Sequence, residues 1–119
     1  MSQILVVDDS SAVRNDVASF LQRNDLSVVT AIDGADGLEK LKSDRDIKLV
    51  IADVNMPRMD GLTMVEKMRS ELASKVNVIM LTTENSPQMK QRGKAAGVKG
   101  WILKPFSGEN VLEGIKQLL

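Results

Sequence analysis

Polar residues that suit metal or phosphate chemistry follow five separate apolar runs of this sequence. They are Asp8, Asp9, Asp33, Asp53, Thr82 and Lys104. Neighbouring carboxylates repel one another unless a cation neutralises them, and small oxygen-rich sites suit Mg²⁺, which often takes phosphate as a further ligand. A carboxylate can itself be the nucleophile that forms an aspartyl phosphate, while a lysine and a hydroxyl can bind phosphoryl oxygens.

Each of these residues also has an ordinary structural explanation when it is considered alone. Asp8 and Asp9 can cap a helix, because acids near a helix N-terminus are favourable. Asp53 and Thr82 can simply close strands, and Lys104 can be a solvated lysine before a turn. A functional site requires that several strand ends converge, so the secondary structure decides between the two interpretations.

The strand that ends at Asp53 is the clearest element. Leu49 to Ala52 are consecutive apolar residues, and Pro57 soon afterwards stops an extended segment. An unbroken apolar run of this length is typical of a strand buried on both faces, as in a parallel sheet. Open α/β sheets place their chemistry at the C-terminal ends of the strands, where Asp53 would lie.

Strands and helices alternate along the whole sequence. Strands are predicted at 4–7, 28–32, 49–52, 76–81 and 100–103. Apolar residues at helical spacing mark five helices: Val13, Val17, Phe20 and Leu21; Ala35, Leu38 and Leu41; Leu62, Val65, Met68 and Leu72; Met89 and Ala96; and Val111, Leu112, Ile115, Leu118 and Leu119. The alternation predicts a three-layer α/β/α sandwich around a five-stranded parallel sheet, whose strands all have their C-terminal ends at one edge.

The fourth helix is expected to be the least stable part of this fold. Ser86 and Pro87 suit its start, but its apolar face is only Met89 and Ala96. Gly93 in its middle costs about 1 kcal/mol relative to alanine. Few apolar contacts mean low local stability, so this helix is our candidate for a segment that changes conformation.

The composition excludes several classes of protein. The 119 residues fit one domain over 1–119. The sequence has no cysteine and no histidine, so any metal must have oxygen ligands. Sixteen basic and sixteen acidic residues give a formal charge of zero, which argues against a nucleic-acid binder. Without a leader-like N-terminus or an 18-residue apolar run, we expect a cytoplasmic protein with no membrane insertion.

Taken together, these residues resemble the receiver domain of bacterial two-component response regulators. The acidic pair Asp8 and Asp9, then Asp53, Thr82 and Lys104 occur in the family's order. The resemblance covers essentially the whole chain, whose length is close to that of the single-domain chemotaxis (CheY-like) type. It implies the flavodoxin-like strand order 2-1-3-4-5 and a monomeric, stand-alone regulator that is a phosphoacceptor rather than an enzyme.

The resemblance also implies a role for each matching residue of the metal site. Asp53 would accept the phosphoryl group from a histidine kinase and contribute to the metal site. Asp9 would bind Mg²⁺ directly, with Mn²⁺ as the alternative ion, and Asp8 would act through water. Asn55, two residues after Asp53, would supply its backbone carbonyl.

The switch residues follow from the same resemblance. Thr82 would be the switch hydroxyl, Lys104 would be the lysine that contacts the phosphoryl group, and Trp101 would be the switch aromatic. A cis Lys104-Pro105 bond is also implied. Two positions differ from the commonest pattern of the family. Trp101 replaces a Tyr or Phe, so its size opposes an inward swing of the side chain. Thr83 replaces a small residue and would narrow access to the phosphoryl group.

Basic residues are concentrated near the fourth helix. Between Asn85 and Gly108 there is no acid, and the basic residues are Lys90, Arg92, Lys94, Lys99 and Lys104. A solvated helix face is the ordinary explanation. The alternative is an output face in which Lys90, Lys94 and Lys99 surround Trp101 and favour an acidic partner segment, with a flagellar motor switch component as one candidate partner.

Other functions remain open at this point. A phosphorelay intermediate, a phosphate sink or a phosphorylation-independent docking module would have much the same sequence as a chemotaxis regulator. A haloacid-dehalogenase-like phosphatase also uses a strand-end aspartate with Mg²⁺. That family has Asp-x-Asp after its first strand, and the segment from Asp8 to Ser10 lacks this spacing.

Overall fold

Five strands alternate with five helices over residues 3–119, the part of the chain that the computed structural model describes. The strands are β1 (Gln3–Val7), β2 (Ser27–Ala31), β3 (Ile47–Ala52), β4 (Asn77–Thr82) and β5 (Gly100–Leu103). The helices are α1 (Ser11–Arg23), α2 (Gly34–Ser43), α3 (Gly61–Ser70), α4 (Pro87–Ala95) and α5 (Gly108–Gln117).

The strands form one parallel sheet in the order β2-β1-β3-β4-β5. This confirms the predicted three-layer sandwich and its strand order. Val7, the last residue of β1, pairs with Ala52, the last residue of β3, and Thr82 of β4 pairs with Leu103 of β5. The polar residues that follow these strand ends therefore emerge side by side at one edge of the sheet.

The apolar strands serve two cores, one on each face of the sheet. In β1, Leu5 and Val7 belong to the core under α2 and α3, whereas Ile4 and Val6 belong to the core under α1 and α5. Successive side chains of a strand point to opposite faces, so a strand buried on both faces has no polar position in its interior. This explains the unbroken apolar runs of the sequence.

Several element ends differ from the predictions, and at the end of β2 a polar side chain is the cause. Strand β2 ends at Ala31, and Ile32 is 52% exposed. The backbone N–H of Ile32 donates to the carboxylate of Asp36 in α2 rather than to a strand. Leu72 lies beyond the end of α3 and Val76 before the start of β4, although both pack half-buried against the core.

Helix α5 also buries less than the sequence suggests. Ile115 is its fully buried residue, and Val111 and Leu118 pack half-buried against the core. Leu112 is only half-buried, and Leu119 lies beyond the helix end with 36% of its surface exposed. Part of the apolar stripe of α5 therefore faces outward.

Helix α4 makes the small apolar contact that the sequence predicts, and hydrogen bonds and an ion pair also attach the helix to α3. Its one buried residue is Gly93. The Arg92 guanidinium donates to both carboxylate oxygens of Glu66, at 2.7 and 2.9 Å, and to the hydroxyl of Thr63 at 3.0 Å. Arg69 donates to the carbonyl of Ala96 at the end of α4. Ionic and hydrogen-bonded contacts to α3 thus supplement the half-buried packing of Met89 and Ala96 against the core.

Gly93 has a packing role that the sequence analysis did not anticipate. A Cβ at Gly93 would lie 3.0 Å from Cζ3 of Trp101 and 3.5 Å from Cδ2 of Leu62. The glycine therefore lets the indole of Trp101 lie directly against the backbone of α4. Gly93 thus weakens α4 as an isolated helix but makes room for the Trp101 side chain.

Candidate metal and phosphoryl site

Three carboxylates meet at the C-terminal edge of the sheet. Each of Asp8, Asp9 and Asp53 has a carboxylate oxygen within 4.8 Å of the other two. Asp8 and Asp53 are buried, whereas Asp9 is exposed. Asp8 and Asp53 continue the pairing of the strands, because the N–H of Asp53 donates to the carbonyl of Val7. The parallel register of β1 and β3 is therefore what brings these acids together.

Local hydrogen bonds fix the turn that carries the acidic pair. The carboxylate of Asp8 accepts from the N–H of Ser10 at 2.9 Å, and the hydroxyl of Ser10 caps α1 by accepting from the N–H of Val13. The guanidinium of Arg14 donates to the carbonyl of Asp8 at 2.7 Å. Asp8 is thus held by the start of α1 as well as by the end of β1.

Lys104 joins two of the three carboxylates. Its Nζ lies 2.8 Å from Oδ2 of Asp53 and 2.9 Å from Oδ2 of Asp8. The other oxygen of Asp53 accepts from the N–H of Val54 at 2.7 Å. The Lys104-Pro105 bond is cis, as the resemblance implied.

Burial and ion pairing act on the site in opposite directions. Burial raises the pKa of Asp8 above its ordinary value, and the hydrogen bonds from Ser10 and Lys104 offset this only in part. Burial also works to lower the pKa of Lys104, but its bonds to Asp53 and Asp8 outweigh burial and raise that pKa. Lys104 therefore stays charged at neutral pH, while an ionised Asp8 costs stability as pH rises through its raised pKa.

Asp33 lies at the same edge but has different partners. Its carboxylate accepts from Nε of Arg58 at 2.6 Å and from Nη2 at 3.0 Å, and it caps α2 by accepting from the N–H of Asp36. The hydrogen bonds from Arg58 lower the pKa of Asp33. Asp33 is therefore ion-paired rather than free to join the acid cluster, and sequence reasoning missed Arg58.

The predicted switch residues are connected through the backbone of Glu84. Thr82 is fully buried, and its hydroxyl oxygen accepts from the N–H of Glu84 at 3.1 Å. The indole N–H of Trp101 donates to the carbonyl of the same residue at 2.8 Å. One peptide segment after β4 thus joins the hydroxyl at the site to the indole beside α4.

The remaining predicted residues lie around this centre. Thr83 is exposed and lines a groove of about 380 Å³ with Lys104 and Phe106. Asn55 lies in the loop from β3 to α3 with its side chain exposed. The exposed lysines of the predicted output face are Lys90 and Lys94 in α4 and Lys99 before β5.

The donor set fits a small divalent cation. The three neighbouring side chains offer oxygen ligands only, and two of them are buried beside a single ammonium group. Carboxylate oxygens are the ligands that Mg²⁺ prefers, with water and phosphate completing its coordination. Burial is the main cause of the raised pKa of Asp8, with a smaller contribution from the Asp53 carboxylate, and a bound cation would favour the ionised form of Asp8 against both.

Comparison with known proteins identifies the chain. The family model of the response regulator receiver domain matches residues 4–116. The chain belongs to this family. The receiver domain is 38% identical over 119 residues to "Chemotaxis protein CheY1" of Helicobacter pylori, covering 98% of this chain and 96% of that protein.

Solved structures give the same result for the fold. The chemotaxis protein CheY4 of Vibrio cholerae superposes on this receiver domain with a TM-score of 0.91 and 42% identity, covering 100% of this chain and 99% of that one. A Borrelia burgdorferi CheX-CheY-BeF3-Mg+2 complex matches with a TM-score of 0.88 and 25% identity, covering 98% of this chain and 87% of that one.

These comparisons confirm the identification made from sequence. The receiver domain is a signalling module of two-component systems with chemotaxis relatives, and receiver domains bind Mg²⁺ at an acidic pocket. They also decide against the haloacid-dehalogenase-like phosphatase. Among residues 3–119, no helix has the length and apolar character needed to cross a membrane.

Proposed function

We propose that this receiver domain accepts a phosphoryl group on Asp53 from a histidine kinase in a Mg²⁺-dependent reaction. The observation that supports this most strongly is the convergence of four groups from three strands. The carboxylate of Asp53 lies 2.8 Å from the Lys104 amine, and the carboxylates of Asp8 and Asp9 reach within 4.8 Å of it. A nucleophile, a cation for the phosphoryl oxygens and a metal site are together.

The chemistry is a transfer between two nucleophiles. A carboxylate oxygen of Asp53 forms a bond to phosphorus while the phosphorus–nitrogen bond of the donor phosphohistidine breaks, and the imidazole leaves with that electron pair. These 119 residues contain no histidine, so they do not supply the donor phosphohistidine themselves. Lys104 stabilises the negative charge on the transferred group.

The metal would be held by residues of this same edge. Asp8, Asp9 and Asp53 supply carboxylates, and the backbone carbonyl of Asn55 is the further proposed ligand. Bound Mg²⁺ supplies charge neutralisation for the phosphoryl oxygens, and Mn²⁺ has the same preference for oxygen ligands. Arg14 and Ser10 contribute by holding the Asp8 turn in place.

The switch would run through Glu84. When the Thr82 hydroxyl turns toward the phosphoryl group, it gives up the hydrogen bond from the Glu84 N–H. The Glu84 carbonyl is bonded to Trp101, whose ring lies against Gly93 of α4. A shift of this segment would therefore move α4. The free-energy difference between two such conformations is typically a few kcal/mol. Thr83, in the groove beside Lys104, would restrict access to the phosphoryl group on Asp53.

We propose a role in chemotaxis or flagellar motor control, with the α4, β5 and α5 face as the output surface; the chemotaxis relatives support the first of these roles. CheY1 of Helicobacter pylori is a chemotaxis protein, and the Borrelia burgdorferi structure contains CheY in a complex with CheX. A phosphorelay intermediate and a phosphate sink use the same acceptor chemistry, and they differ in what binds the phosphorylated form.

Incubation with acetyl phosphate and MgCl₂ tests the acceptor chemistry directly. We expect intact-protein mass spectrometry to show a gain of one phosphoryl group. The gain should disappear in Asp53→Asn, because an amide cannot act as the nucleophile, and in buffer with a chelator. Asp46→Asn, an exposed acid outside the site, should be phosphorylated normally. A wild-type chain that gains no mass under these conditions would favour the phosphorylation-independent docking module.

Charge reversal tests the output face. Once affinity capture on the receiver domain has isolated its output protein, Lys90→Glu with Lys94→Glu should weaken binding of that protein about 3- to 10-fold and reduce the salt dependence of binding, since rim charges mainly steer association. The matched control is Lys48→Glu with Lys75→Glu, which reverses two exposed lysines near the opposite edge of the sheet. Equal affinities for the two double variants, measured by biolayer interferometry, would discard this face.

A further inference from the structure

The loop from β3 to α3 is fastened to α2 by an ion pair that the proposed reaction does not use. Arg58 in this loop donates through Nε and Nη2 to both carboxylate oxygens of Asp33, at 2.6 and 3.0 Å. The Arg58 side chain is 63% exposed, while that of Asp33 is 3% exposed. A two-pronged pair of this kind fixes orientation as well as distance.

The backbone of Arg58 shows that this loop is constrained. Its φ is +62°, in the left-handed region that L-residues rarely adopt. Such conformations persist where surrounding contacts hold them. The next residue is also held, because the N–H of Gly34 donates to the carbonyl of Met59 at 3.1 Å. A Cβ at Gly34 would lie 2.6 Å from that carbonyl oxygen, so the contact requires glycine.

The same loop begins at the acceptor aspartate. The N–H of Val54 donates to the Asp53 carboxylate, and the N–H of Gly61 donates to the carbonyl of Val54 at 2.8 Å. The loop is therefore closed at its base next to Asp53 and fastened at its far side to α2. Asn55 lies between these two attachments.

We propose that Arg58 is a positioning residue for the metal site. By holding the loop against Asp33, it fixes the path of the backbone through Asn55. That path determines whether the Asn55 carbonyl points toward the metal site or away from it. The inference rests on the proposed function, and it adds a residue that never touches the ion. Partners behind a metal ligand typically change metal affinity 10- to 100-fold when they are removed.

The sign of the effect separates positioning from simple electrostatics. Loss of the Arg58 charge leaves Asp33 unpaired, so the edge becomes more negative, and electrostatics alone would tighten Mg²⁺ binding. Loss of positioning would weaken Mg²⁺ binding instead. The two explanations therefore predict opposite changes in the dissociation constant of the same variant.

A MgCl₂ titration of the full chain, followed by the amide NMR signals of Val54 and Asn55, tests the proposal. We expect Arg58→Ala to raise the Mg²⁺ dissociation constant about 10-fold. Arg58→Lys keeps the charge but cannot donate two parallel hydrogen bonds to Asp33, and it should raise the dissociation constant less. Arg45→Ala removes an equal charge just before β3, at the opposite edge of the sheet, and should leave it unchanged. The Mg²⁺ concentration that gives the half-maximal rate of reaction with acetyl phosphate should rise by the same factor in Arg58→Ala and stay at its wild-type value in Arg45→Ala, since Arg58 acts on metal binding.

The possible results distinguish this inference from the proposed function. Unchanged or tighter Mg²⁺ binding in Arg58→Ala, with normal binding in wild type, overturns the positioning role and leaves the acceptor role intact. A wild-type chain that binds no Mg²⁺ overturns both. If Arg58→Ala does not fold, Arg58→Lys decides: weaker Mg²⁺ binding at unchanged unfolding free energy supports the proposal, and wild-type affinity rejects it.

Discussion

Replacing Lys104 with methionine should lower the free energy of unfolding by about 2 kcal/mol in metal-free buffer at pH 8. The ammonium contacts Asp53 and Asp8 within 2.9 Å, and removing one partner of a buried pair leaves uncompensated charge behind. Lys104 is 19% exposed, so solvent screening keeps the loss below that of a fully buried pair. Denaturant unfolding followed by circular dichroism measures it.

The pH dependence and Mg²⁺ give this prediction two internal checks. The raised pKa of Lys104 means that its contribution is complete below 10.5, so the deficit should be full at pH 8. The deficit should shrink as pH falls through the raised pKa of Asp8 toward 3.8, because the neutral acid no longer needs a counter-charge. Mg²⁺ should stabilise Lys104→Met more than wild type, because in the variant the ion no longer competes with the Lys104 ammonium for the carboxylates.

The control for Lys104 is an exposed lysine of the same region. Lys99→Met also removes one charge, and Lys99 has no ion pair within residues 3–119. Its unfolding free energy should match that of wild type. If Lys104→Met were equally stable in metal-free buffer at pH 8, the ammonium would not be neutralising the buried carboxylates.

Gly93→Ala should destabilise the receiver domain by up to about 2 kcal/mol, against the trend for glycine in helices. Helix propensity alone would give a gain of about 1 kcal/mol. The new Cβ, however, would lie 3.0 Å from Cζ3 of Trp101, and overpacking of this kind typically costs about 1–3 kcal/mol. The indole is held on its other side by its hydrogen bond to Glu84, so it cannot simply move away.

A double-mutant cycle isolates the contact between the glycine and the indole. Phenylalanine lacks the fused ring that carries Cζ3, so Gly93→Ala should be neutral or stabilising when Trp101→Phe is also present. Gly114→Ala in α5 is the matched control, because its Cβ would meet nothing within 4 Å, and it should stabilise by about 0.5–1 kcal/mol. Equal effects of Gly93→Ala in both backgrounds would show that Trp101 is not the obstacle.

The sequence was sufficient to predict the sheet and the residues at its edge. Apolar runs buried on both faces have few alternative placements, and a parallel sheet necessarily brings its strand ends to one side. Asp8, Asp53 and Lys104 could therefore be placed together without coordinates. The ends of elements were less predictable: Ile32 looked like strand, but the Asp36 carboxylate takes its N–H.

Contacts between distant segments could not be predicted in the same way. The pairing of Asp33 with Arg58 joins positions 25 residues apart, and no local pattern distinguishes either residue from a solvated one. The link through Glu84 uses backbone atoms, which any residue type supplies. Gly93 appeared to be a defect because helix propensity is local, whereas its value depends on Trp101 across the interface.

The hydrogen bond from Trp101 to Glu84 gives this chain a built-in spectroscopic sensor. With one tryptophan in the sequence, an NMR spectrum contains a single indole proton resonance. The indole N–H donates to the Glu84 carbonyl, so its exchange with deuterated solvent requires this contact between Trp101 and the segment after β4 to break. The exchange rate of one atom therefore reports how often this contact with the segment that joins Thr82 to α4 breaks, in the unmodified protein and without any partner present.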